Sequence, residues 1–281
     1  MKLFGTKLLE KFTATPDPLR QPLSQRVNVH AWSAQSVGKT RTHMEDSALA
    51  FTMELFLPER PVTLGIYMVA DGMGGHDNGE IASKIAIQIS VDSLQKFLID
   101  PLLRGELLPS HQEVINILED AFTRAQEQVL RTVSGGGTTL TLAVLLEKHL
   151  YFGHIGDSRL YFRSSHADLQ PLTQDHSLVR RLVDLGQISE VEALHHPQRN
   201  VLFRALGQTE GFKADLGHLD LVEPSQLLIC TDGLWGLAEE DELLRVIKSE
   251  PVGGNIAKQL CELANTAGGT DNISVIFVEI K

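Results

Sequence analysis

The strongest constraint on this chain is a series of short, apolar, β-rich runs: Val29–Ser33, Leu64–Ala70, Thr139–Leu146, Leu150–Ile155, Arg159–Phe162, Gln226–Cys230 and Ile273–Ile280. Each has strand length. None approaches the ~20 apolar residues that a membrane-crossing helix needs. Helical patterns are fewer. Val114, Leu118, Ala121, Phe122, Ala125 and Val129 follow the 3.6-residue period, and Glu80–Leu98 is rich in isoleucine at mixed spacing. Further patterns cover Ser177–Leu185, closed by Gly186, and Gly254–Ala264. Helices and strands do not alternate one for one, so antiparallel sheets flanked by helices are expected rather than a doubly wound parallel fold.

Charge narrows the function. Among 281 residues, 25 Lys+Arg stand against 36 Asp+Glu, a formal charge of -11 that speaks against a general nucleic-acid binder. The N-terminal MKLFGTKLLEKF lacks a continuous apolar segment followed by a small-residue cleavage site, so export is not expected. Cys230 and Cys261 lie in apolar patterns outside any CxxC pair, which suits buried free thiols in a reducing compartment. Residues 1–26, with the proline-rich TPDPLRQP, read as an extension ahead of a folded body that begins at residue 27.

Five aspartates sit beside strand ends: Asp46, Asp71, Asp157, Asp232 and Asp271. Taken singly, Asp-Gly and Asp-Asn are turn formers. Carboxylates that converge from separate strands repel one another unless cations neutralise them, so convergence predicts hard divalent ions such as magnesium or manganese. Two such ions can turn a shared water into a hydroxide nucleophile and stabilise charge on a phosphoryl group. Arg41, four residues before Glu45, is the candidate fork for a phosphate, with a surface salt bridge as its other reading.

The ordered set formed by Arg41 with Glu45 and Asp46, DGMGGH from Asp71 to His76, GTTL from Gly137, GDSR from Gly156, TDG from Thr231 and GTDNIS from Gly269 resembles the metal-dependent serine/threonine phosphatases of type 2C, the PPM family. DGMGGH and HPQRNVLFRALG (196–207) resemble its bacterial branch. The resemblance runs from about residue 28 to the end and implies an α+β fold, a central antiparallel β-sandwich flanked by helices on both faces, with residues 27–281 as catalytic domain.

It further implies a protein-serine/threonine phosphatase, a phosphoric monoester hydrolase using two manganese or magnesium ions. By the resemblance, Asp71, Asp232 and Asp271 hold one ion. Asp71, the carbonyl of Gly72, and Glu45 with Asp46 hold the second, partly through water. Asp157 contributes to a third, weaker ion, or is a turn aspartate anchoring its strands. Arg41 matches the arginine that binds the substrate phosphate.

One departure is visible. Where animal members carry a histidine assigned as general acid, this chain has Met73, whose thioether cannot donate a proton. His43 and His76 are the nearby alternatives, and a metal-bound water is another. The polar stretch from Gly186 to about Gln208 reads as a mobile surface insertion; the stretch 173–207 matches the family's flap, and its His176, His195 and His196 are expected to be solvent-exposed rather than zinc ligands. The Gly135–Gly137 triplet lacks the lysine and the helix of a phosphate-binding loop and reads as a turn. Implied partners are phosphoprotein substrates and a cognate serine/threonine kinase, without nucleic acid or membrane span, for a monomeric cytoplasmic chain. Two alternatives differ in chemistry: a non-catalytic phosphoprotein-binding relative, and a phosphatase acting on a small metabolite.

Overall fold

Every strand pairing is antiparallel in the computed structural model, which describes residues 27–57, 61–74, 77–164, 167–222, 224–249 and 255–281. The expected N-terminal extension and His76 lie outside the described residues. In chain order the strands are β1 (Val29–Ser36), β2 (Ser47–Phe56), β3 (Pro61–Ala70), β4 (Gly72–Met73), β5 (Gly137–Thr138), β6 (Leu140–Leu146), β7 (His149–Ile155), β8 (Arg159–Ser164), β9 (Gln170–Pro171), β10 (Asp215–Asp220), β11 (Ser225–Cys230) and β12 (Ile273–Ile280). One sheet has the order β1-β12-β11-β8-β9, the other β10-β7-β6-β3-β2, and β4 pairs with β5. The helices are α1 (Asp77–Leu94), which runs through a π-helical turn (Gln95–Ile99) into α2 (Asp100–Leu103), then α3 (His111–Thr132), α4 (Leu178–Asp184), α5 (Glu190–Leu194), α6 (Asp232–Trp235), α7 (Glu240–Ser249) and α8 (Ile256–Thr266).

Alternation along the central strands explains why they read as unbroken apolar runs. Successive side chains point to opposite faces of a sheet. On β12, Ile276 and Val278 pack between the two sheets while Val275 and Phe277 face helices; on β3, Tyr67 and Val69 face the other sheet while Leu64, Ile66 and Met68 face helices. Both faces are covered, so both sets are apolar. The result is the expected helix–sheet–sheet–helix layering, with α1 and α3 over one sheet and α6, α7 and α8 over the other. Each fully buried Leu, Ile, Val or Phe contributes roughly 1.5–3 kcal/mol.

Among the elements of six residues or more, sequence patterning misses β2, β10 and α7. β2 and β10 are edge strands with mixed burial, and the amphipathic α7 is short. The flap region is pinned at both ends: Ser177 bridges Leu202 and Thr138 bridges Leu206, with Ala205 and Leu206 fully buried. Ser177 caps α4 through the Arg180 N–H, and Gly186, at φ 67°, closes it as Gly186 N–H and Gln187 N–H donate to the carbonyls of Val183 and Leu182.

Candidate metal centre

The five aspartates stand where loops leave or enter strands, drawn from both sheets. Asp46 precedes β2 and Asp71 follows β3 in one sheet, Asp232 follows β11 and Asp271 precedes β12 in the other, and Asp157 lies in the loop that joins β7 of the first sheet to β8 of the second. They converge at one end of the sandwich, where each acid is within electrostatic reach of others: Asp71 of Asp46, Asp157 and Asp232, and Asp271 of Asp46 and Asp232.

Neutral donors and backbone contacts fix these acids. The backbone N–H of Asp71 donates to Thr139 Oγ1 at 2.9 Å, and its carbonyl accepts from the Thr139 N–H at 2.9 Å and Thr138 Oγ1 at 2.8 Å. Asp46 is buried, and its Oδ2 accepts from Thr231 Oγ1 at 2.9 Å and Ser274 Oγ at 2.7 Å. Asn272 holds the loop before β2 against β12. Its Oδ1 accepts the Glu45 N–H at 2.7 Å, while its Nδ2 donates to the carbonyls of Val37 at 3.0 Å and His43 at 2.9 Å. Gly72 lies so close to its surroundings that a Cβ there would fall 2.2 Å from the Gly79 carbonyl oxygen and 2.5 Å from that of Glu45.

The electrostatics describe a buried cluster of mutually repelling acids. Burial, then the Asp232 charge, pushes Asp71 well above the carboxylate range. Burial likewise raises Asp232, with Asp271 adding to it, and raises Asp157, with Asp232 and Asp175 adding to it. Asp46 is pushed up to about 7, mainly by burial. Oδ1 of Asp46 and Oδ1 of Asp232 are buried without a hydrogen-bond partner. A buried, unpartnered carboxylate oxygen is costly unless a cation meets it. Oxygen-only donors of this kind suit hard divalent ions. Among the described residues, no three of these carboxylates bring oxygens within 4.8 Å of one another, so the acids are spread more widely than one compact three-ligand cluster.

Arg41 is the cation at the rim. Its side chain is 47% exposed, with Nη2 2.9 Å from Asp271 Oδ2 and Nη1 4.0 Å from Glu45 Oε2. Beside Asp157, Arg159 forms a two-pronged bond with Asp175 at 2.9 and 2.8 Å and stacks 3.6 Å from the Trp235 ring centroid. Trp235 Nε1 donates to the Asp157 carbonyl at 3.0 Å.

Met73 pairs with Gly137 in the β4–β5 ladder, and His43 is exposed in the neighbourhood of Glu80. One expectation is corrected. His176 is buried, not solvent-exposed: its Nδ1 accepts the Gly156 N–H at 3.1 Å, so Nε2 carries the proton and faces Asp215 Oδ2 at 3.1 Å. His195 is exposed as expected and His196 is half-buried. Asn272, Thr231, Ser274 and Thr139, which hold the acids in place, carry no charge, and only their place inside the GTDNIS, TDG and GTTL runs hinted at them.

Comparison with known proteins agrees with this architecture. The family profile described as Protein phosphatase 2C matches residues 59–262. The serine/threonine phosphatase stp of Listeria monocytogenes serovar 1/2a is 32% identical over 258 residues, covering 89% of this chain and 96% of that protein. The crystal structure of serine/threonine phosphatase Stp1 from Staphylococcus aureus superimposes with a TM-score of 0.76 at 28% identity, over 93% of this chain and 98% of that one. The catalytic domain of serine/threonine protein phosphatase PstP, solved in complex with two manganese ions, superimposes with a TM-score of 0.71 at 26% identity, over 91% of this chain and 99% of that one. The chain belongs to the protein phosphatase 2C family.

Proposed function

We propose that this protein removes phosphate from phosphoserine and phosphothreonine in proteins by metal-dependent hydrolysis. The observation that carries the proposal is the meeting of five aspartates from two sheets around buried carboxylate oxygens that lack partners. The acid set fits divalent manganese or magnesium, and a relative of the same fold was solved with two manganese ions. Asp71, Asp232 and Asp271 would hold one ion; Asp71, the Gly72 carbonyl, Glu45 and Asp46 the second; Asp157 a third. Bound there, the ions would supply a hydroxide nucleophile at neutral pH and stabilise charge on the phosphoryl oxygens.

The chain's own groups do the rest. Arg41, half exposed beside Asp271, would turn its fork to the phosphate and hold it in line for attack. Thr138 and Thr139 hold the backbone of Asp71, and Thr231 and Ser274 hold Asp46, so the acids keep their places as charge shifts. Water adds to phosphorus, the ester oxygen leaves with a proton, and inorganic phosphate and the free hydroxyl result. Met73 cannot supply that proton. His43, an exposed imidazole in the first motif, is one candidate donor, and a water is the other.

Residues 27–281 would form one catalytic domain, with the segment 173–207 shaping which peptides reach the centre. The cognate partner would be a serine/threonine kinase whose products it reverses. Cytoplasmic residence is supported by the free, buried thiols of Cys230 and Cys261, and we take the working unit to be a monomer.

The test is manganese-dependent phosphate release from a phosphothreonine peptide, compared with sugar phosphates. Asp232→Asn should abolish it with circular dichroism unchanged. Tight peptide binding without turnover in saturating manganese would instead make the chain a binding module, and faster hydrolysis of the sugar phosphates would make it a metabolite phosphatase.

A further inference from the structure

Far from the aspartates, a second group of ligating side chains gathers on the edge of the β10-β7-β6-β3-β2 sheet. One potential ligand atom from each of His111, His149 and Asp220 lies within 4.8 Å of the others. Strand pairing puts them there. His149 stands opposite Asp220 and Tyr151 opposite His218 in the β7–β10 ladder, and directly opposed residues share a face. Tyr151 belongs to the helix-side core, so this face looks toward α3. His111, the first residue of α3, closes the group from above, held by the Ser110–Glu113 capping box just before and after it.

The contacts are close. His149 Nδ1 is 2.7 Å from Asp220 Oδ1, His111 Nδ1 is 2.8 Å from the Tyr151 hydroxyl, and the His111 ring lies 4.9 Å from the rings of both His149 and His218. β7 spans seven residues from His149 to Ile155, so this group is about 20 Å from the end where Asp157 joins the phosphatase centre.

We propose that His111, His149 and Asp220 form a separate site for a zinc-class transition cation, with His218 as its wall. Two imidazoles and one carboxylate are a borderline donor set that suits zinc, nickel or copper, unlike the all-oxygen set at the aspartate centre. Ligand bonds of about 2.0–2.2 Å in a tetrahedron place donors about 3.4 Å apart, so the His149–Asp220 pair, at 2.7 Å, must open slightly while the wider spacings, which lie within 4.8 Å, close. Asp220 is exposed enough to move and opens the site to solvent, while His149 is buried and fixed. The Tyr151 hydroxyl gives His111 the kind of outer partner that orients a metal-bound ring. A bound cation would tie the first turn of α3 to β10, an edge strand paired with β7.

Calorimetric titration of zinc into the full chain saturated with magnesium tests this. The expected result is one zinc per chain, taken up with release of protons and accompanied by a higher Tm. His149→Gln and His111→Asn should each lose that event, and Asp232→Asn should keep it. The exposed Asp220→Asn, which leaves the packing intact, should weaken it at least tenfold and stands in should the buried His149 variant fail to fold. Absence of zinc uptake in excess magnesium would overturn the proposal. Uptake lost in Asp232→Asn but kept in the His111 and Asp220 variants would overturn it too, by locating the zinc at the aspartates.

Discussion

The side-chain oxygen of Asn272 accepts the backbone N–H of Glu45 at 2.7 Å, a bond across 227 positions of sequence that seats the Arg41–Asp46 loop against β12. Asn272→Leu would leave the Glu45 N–H and the Val37 and His43 carbonyls without this partner. The expected outcome is a loss of about 1–3 kcal/mol in stability. The manganese concentration for half-maximal activity should also rise, because Glu45 and Asp46 are no longer held. Chemical denaturation and a manganese titration of peptide hydrolysis measure the two.

Gly72→Ala forces a Cβ to within 2.2 Å of the Gly79 carbonyl oxygen, and backbone on that side cannot yield as a flexible side chain would. Destabilisation of about 3 kcal/mol is expected, with hydrolysis lost in any manganese concentration. A variant as stable and as active as the parent chain would show that the Gly72 carbonyl is not needed close to an ion.

Manganese should raise the thermal midpoint, since the folded chain alone assembles the aspartates. At one hundred times the dissociation constant the gain is about 2.7 kcal/mol. In chelator the order should reverse: Asp46→Asn removes one of several mutually repelling buried carboxylates and should melt higher than the parent, while in manganese it melts lower and hydrolyses poorly. Differential scanning fluorimetry with and without chelator reads both.

Arg41→Lys keeps the charge and loses the fork. The expected effect is a rise in KM for the phosphopeptide of roughly tenfold, equivalent to about 1.4 kcal/mol, with the fold intact. An unchanged KM would return Arg41 to the role of a surface partner of Asp271.

His154 supplies a pH dependence of known sign. Burial, reinforced by His176, lowers it from 6.5 to about 3, while in the unfolded chain it titrates near 6.5. Between these values the unfolded chain binds the extra proton, so this contribution to stability is present above pH 6.5 and is lost as pH falls toward 3. The loss is at most about 1.4 kcal/mol per pH unit. His154→Gln should flatten the decline in Tm between pH 7 and pH 5; an equal slope in both proteins would place the acid sensitivity elsewhere.

What could be read beforehand follows from how strands are covered. β3, β6, β11 and β12 are buried on both faces and announce themselves as apolar runs, whereas β2 and β10 lie on sheet edges, where half-exposed positions such as Glu54, His218 and Asp220 dilute the signal. The aspartates were legible because five sit beside strand ends in small-residue loops. Asn272 and Thr231 were not, because a neutral side chain that bonds to backbone leaves no mark of its own. His176 misled for a related reason: a histidine in a polar stretch reads as solvent-facing, yet the Gly156 N–H and Asp215 draw it inward.

Asp46 and Asp71 come from one sheet, Asp232 and Asp271 from the other and Asp157 from a loop between them, so ions shared among them would rivet the two halves of the sandwich together. A nascent or partly unfolded copy, its layers still apart, has no workable centre. Hydrolytic competence and completed assembly would then arrive in the same event.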